Sequence, residues 1–87
     1  MIYQKNNNFD YIQSDDASMA VFDPNKEAVY FFDEVGIDIL NTLSSPHSLD
    51  ELITDLCKIY NASSEIIESD VKEFLSNAVE KNIVITL

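Results

Sequence analysis

The sequence predicts an α+β domain in which an N-terminal antiparallel three-stranded sheet is followed by three helices. Three observations carry that expectation. The segments SMAVFD and AVYFFD flank DPNKE, a reversal in which Pro presets φ and Asp or Asn bonds its own backbone. From Asp33 onward the apolar residues move from strand to helical spacing. Ser-led helix starts follow, and at one of them Ser48 has Glu51 three positions later.

Tyr11 to Gln13 is the first and weakest strand candidate, and Met19 to Asp23 pairs with Ala28 to Phe32 as a hairpin. Two or three strands do not stand alone in water, so helices must cover one face. By alternation Val29 and Phe31 point to one side of the last strand, while Ala28, Tyr30 and Phe32 point to the other. One set packs under the helices. The other needs a cover: the chain's own remaining elements, a dimer partner or something external.

Val35, Ile37, Ile39, Leu40 and Leu43 place the first helix from Asp33 or Glu34 to Leu43, where SSPHS ends it. Ser48 and Glu51 form a capping box, so the second helix starts at Ser48 and turns Leu49, Leu52, Ile53, Leu56, Cys57 and Tyr60 inward. NASSE breaks and recaps the chain. Ser63 or Ser64 opens the third helix, with Glu65, Glu68 and Asp70 near its positive end and Lys81 near its negative end. Its apolar stripe is Ile67, Val71, Phe74, Leu75, Ala78 and Val79, and NIVIT finishes as a short extended tail. Residues 1–87 read as one domain, with 1–8 expected to be mobile because of the polar NNN run near the terminus. Leu40, Leu43, Leu52, Ile53, Leu56, Val71, Leu75 and Val79 form the expected core.

Composition and charge exclude several functions. An apolar fraction of 46%, with one Gly and two Pro, describes a packed domain. Sixteen acids against five bases give a net charge of −11, which repels a phosphate backbone and an anionic membrane alike and favours a basic or neutral partner. No apolar run is long enough to cross a bilayer, and the start lacks the regions of a signal peptide. With one cysteine the chain makes no internal disulfide, and a cytoplasmic setting is expected.

No catalytic constellation is visible. His47 is the lone histidine and Cys57 falls on the inward stripe of a helix, which removes it from a nucleophile pair. One histidine and one cysteine make a poor zinc site. The acid pairs Asp15 with Asp16, Asp33 with Glu34, and Asp50 with Glu51 lack the spacing of a calcium loop, and most of the helical acids suit the macrodipole. Gly36, the only glycine, cannot make a phosphate-binding loop. No metal, no cofactor and no enzymatic activity are expected.

A hairpin running into VYFFDEVGIDILNTL, then SLDELITDLCKIYN, then SDVKEFLSNAVEKNIV resembles the PqqD-like domains, the precursor-peptide recognition elements of ribosomal peptide biosynthesis. The resemblance spans about residues 18 to 85. Asp33 stands where Asn is usual, SSPHS replaces an Asp-Gly turn, and Asn82 with Ile83 replaces Gly-Leu.

The resemblance implies a leader peptide that adds as an extra strand beside the last strand of the hairpin, in a groove against the third helix. The implied site is Ala28, Val29, Tyr30, Phe31 and Phe32 on the strand, with Ile67, Asp70, Val71, Phe74 and Ala78 on the helix. Asp70 and Glu73 on the rim would steer Lys or Arg in the leader. The implied role is non-catalytic delivery of a precursor to a modifying enzyme or leader protease of a lasso-peptide or radical-enzyme pathway, by a monomer or weak dimer.

The order of elements is also winged-helix-like, which raises a small transcriptional regulator as the alternative. Its recognition helix should be basic, yet the third helix carries Glu65, Glu68, Asp70, Glu73 and Glu80 against Lys72 and Lys81. A subunit whose edge strand pairs with itself is a further alternative.

Overall fold

The computed structural model describes residues 1–14 and 18–87, so Asp15 and Asp16 lie outside the described residues. The order is β1 (Ile2–Lys5), β2 (Asp10–Gln13), β3 (Met19–Asp23), β4 (Ala28–Phe32), α1 (Glu34–Thr42), β5 (His47–Ser48), α2 (Leu49–Ile59), α3 (Ser64–Glu80) and β6 (Val84–Thr86). The three expected strands form one antiparallel sheet in the order β2-β3-β4, and the three helices follow as expected. Within it Ile12 aligns with Ala20 and Ala20 with Phe31, while Asp10 aligns with Phe22 and Phe22 with Val29.

Buried Asp23 closes the hairpin, accepting from the amides of Asn25 at 2.9 Å and Lys26 at 3.3 Å. The Asp33 side chain caps α1 by accepting from the Gly36 amide. At α2 the full capping box forms: the Glu51 amide donates to Ser48 Oγ at 3.2 Å, and the Ser48 amide donates to Glu51 Oε1 at 2.8 Å. Hydrogen bonding to its carboxyl, from the Ser48 backbone amide first and the Ser48 hydroxyl second, holds Glu51 below the usual carboxylate range. Ser63 caps α3.

A second sheet, in the order β5-β1-β6, departs from expectation. Residues 1–8, expected to be mobile, supply its central strand: Tyr3 aligns with both His47 and Thr86. The Lys5 amide donates to Leu43 O at 2.7 Å and the Asn6 amide to Ile83 O at 2.8 Å, while the Asn6 side chain donates to Asn82 O at 2.8 Å. The backbone groups of the terminus find partners in mid-chain, at Leu43 and β5, and near the C-terminal end, at Ile83 and β6. The NIVIT tail and part of SSPHS thereby become strands β6 and β5.

One core draws residues from every helix and from both sheets, including Val21, Ile39, Leu40, Leu43, Leu52, Leu56, Val71, Ile83 and Val84. Of the expected core, Ile53 and Val79 are only partly buried and pack against it. Cys57 is a half-buried free thiol packed on the same core. No helix among the described residues is long and apolar enough to cross a membrane.

Candidate functional site

The sequence of β4 divides as alternation requires. Ala28, Tyr30 and Phe32 are half-buried and turn toward the helices, whereas Val29 and Phe31 stand in solvent at 50% and 76% exposure. Among the described residues β4 pairs on one side only, with β3, so its other edge is open. Phe32 meets Phe74 of α3 with ring centroids 5.5 Å apart, and the Lys81 ammonium lies 5.5 Å from the centre of the Tyr30 ring. The two ring contacts seat β4 against α3 at separate points along the strand.

Beside the Phe32–Phe74 contact an open cleft of about 340 Å³ separates α1 from α3. Asp33, Val35 and Gly36 form its α1 side, and Asp70, Glu73, Phe74 and Asn77 its α3 side. The spacing of those α3 residues, three and four apart, makes them one stripe of the helix. Three carboxylates and no basic side chain line the cleft, so its field is negative. Gly36 is required by close approach: a Cβ there would lie 3.0 Å from Phe32 Cβ and 3.2 Å from Phe74 Cε2.

An adjoining apolar pocket of about 180 Å³ shares Val35 and Asp70 with the cleft and is walled by Leu56, Tyr60, Ile66, Ile67 and Val71. The Tyr60 hydroxyl donates to Asp38. Burial, then that bond and the charges of Asp38, Glu34 and Asp33, push its phenol well above the usual tyrosine range, so it remains a donor at neutral pH.

The site residues expected from sequence therefore separate. Tyr30, Phe32, Asp70 and Phe74 gather at the cleft and the strand that borders it. Ile67 and Val71 lie in the floor of the adjoining pocket, with Val71 only 1% exposed. Ala78, at 2% exposure, belongs to the core and faces no cleft, because it falls on the Val71 and Leu75 side of α3. Phe31 and Val29 lie on the far face of the sheet. Sequence reasoning missed Val35, Gly36, Asn77 and Ile66. Among the described residues no group of three or more His, Cys, Asp or Glu is placed to hold a metal ion.

Two solved structures share the fold. TbiB1, solved in complex with the TbiA(β) leader peptide, superposes with a TM-score of 0.84 at 17% identity, over 97% of this chain and 96% of that one. The PqqD truncation of Methylobacterium extorquens PqqCD, a stand-alone recognition element for ribosomally synthesised and post-translationally modified peptides, superposes with a TM-score of 0.78 at 14% identity, over 98% of this chain and 89% of that one. No curated protein matches the sequence. The family model for coenzyme PQQ synthesis protein D matches residues 18–84, from the residue before β3 to the first of β6, and by that match the chain belongs to the PqqD family.

Proposed function

We propose that this protein binds the leader of a ribosomal precursor peptide as an added strand on β4 and delivers it to an enzyme, with no chemistry of its own. The observation that carries the reading is the open edge of β4 beside the α1–α3 cleft, in a chain of the PqqD family. The leader-bound state of the structural neighbour TbiB1 supports it. Main-chain hydrogen bonds along β4 would set register and much of the affinity, while alternate leader side chains enter the cleft. Asp33, Asp70 and Glu73 favour a leader with Lys or Arg at the cleft and speed its association. The expected setting is the cytoplasm, where precursors are made.

The test is titration of a labelled precursor leader against Tyr30→Pro, which removes a ladder amide, and Phe74→Ala, which empties one cleft wall. Both variants should weaken binding by about tenfold or more while a melting scan shows them folded. The apolar loss should persist at high salt, since screening acts on exposed charges. Folded variants that bind like wild type would place the peptide elsewhere.

A further inference from the structure

The face of the β2-β3-β4 sheet turned away from the helices has no cover within the described chain. Ile12, Ala20 and Phe31 form one row across it, and Phe22 with Val29 a second, and Asp10 is the face's one ionisable residue. Phe31 is 76% exposed, Ile12 62% and Val29 50%. A helix-packed antiparallel sheet normally turns polar residues to water on its free face, so an apolar face of this kind marks an interaction surface.

We infer that this outer face is the docking surface for the enzyme that acts on the bound precursor, and that the bound leader is part of it. The inference rests on the leader-strand reading above. A strand added to β4 extends the same sheet, so alternate side chains of the leader stand in line with Val29 and Phe31 on the outer face. The enzyme then meets protein and peptide as one continuous surface, and a loaded module binds it more tightly than an empty one.

Size and charge select this occupant over a second copy of the chain. Three strands about 4.8 Å apart and about 17 Å long make a face of roughly 240 Å², far short of the roughly 800 Å² per partner of a standard interface. A stable partner must therefore reach past the apolar rows onto the surrounding surface. In a second copy that surface belongs to a molecule of net charge −11, which repels its twin. An enzyme with an apolar centre and a Lys- and Arg-bearing rim is complementary to both parts.

The probe is the purified enzyme encoded beside the precursor gene, immobilised and titrated with this protein, with and without saturating leader. Wild type should bind, more tightly when loaded, and raised salt should weaken it. The double variant Ile12→Thr with Phe22→Thr, confined to the outer face of β2 and β3 and away from the leader strand, should lose about tenfold or more of the enzyme affinity while leader affinity changes less than about twofold. A folded double variant that binds enzyme like wild type overturns the inference. So does a variant that loses leader and enzyme together, or a salt-promoted dimer of the wild type, seen by sedimentation, that the same changes abolish. A wild type that binds enzyme through this face and takes no leader would defeat the leader-strand reading and the leader's share of the surface with it, while the face itself stands, because the titration without leader reads the face by itself.

Discussion

The two sheets have three strands each and differ in how their strands meet. β2, β3 and β4 are consecutive in the chain and carry branched and aromatic residues. The second sheet joins Ile2 to Ser48 and Tyr3 to Thr86, so its pairing spans nearly the whole chain. The first presents a five-residue open edge at β4, whereas the edges of the second, β5 and β6, have two and three residues. The local sheet thus has the longer edge for the proposed leader strand, and the remote one ties the termini to the helices.

Breaking the remote sheet should cost most. Ile83, fully buried where α3 leads into β6, meets the core and accepts the Asn6 amide through its carbonyl. Ile83→Ala should destabilise by about 2 to 5 kcal/mol in denaturant unfolding. An unchanged midpoint would mean that the second sheet contributes little.

A smaller change probes the join between the sheets. The Tyr11 hydroxyl, from β2, donates to Asn6 O at 2.7 Å and lies 3.3 Å from Ile83 O. Tyr11→Phe should cost about 1 kcal/mol at neutral pH. Burial pushes this phenol up to about 12, above its unfolded value. The neutral form is thus favoured by folding, and its stabilisation is complete below the unfolded pKa of about 10 and lost as pH rises through the folded value. Unfolding curves of Tyr11→Phe should accordingly decline less steeply than wild type over that alkaline window.

The smallest effect is a gain. Asn82 has φ 63° and ends α3 in a Schellman turn, with its own amide donating to Val79 O at 3.1 Å and the Ile83 amide to Ala78 O at 2.9 Å. Glycine takes that conformation without a Cβ penalty, so Asn82→Gly should raise stability by no more than about 1 kcal/mol, read as a small rise in melting temperature.

What the sequence disclosed follows the same division. Caps at Asp33, Ser48 and Ser63 and the Asp23 turn are short-range devices, and each is legible from a few neighbouring residues. The strand role of Ile2 to Lys5 is not, since it depends on partners more than forty residues away, in mid-chain and near the C-terminal end, and no alternation marks it. In the site, Phe74 and Asp70 came from the family resemblance, and a shift of one position on α3 separates the cleft stripe from the core stripe. Ala78, part of the implied site, lies on the core stripe for that reason. The α1 side of the cleft was hidden because its position depends on Gly36 letting the helix approach Phe32 and Phe74.

Amide hydrogen exchange of the whole protein with and without a saturating precursor leader tests the central claim most directly. Added-strand binding predicts new protection in Ala28 to Phe32, with little change in Ile2 to Lys5 or Val84 to Thr86. Leader-induced protection confined to the terminal sheet, with β4 exchanging as before, would contradict it.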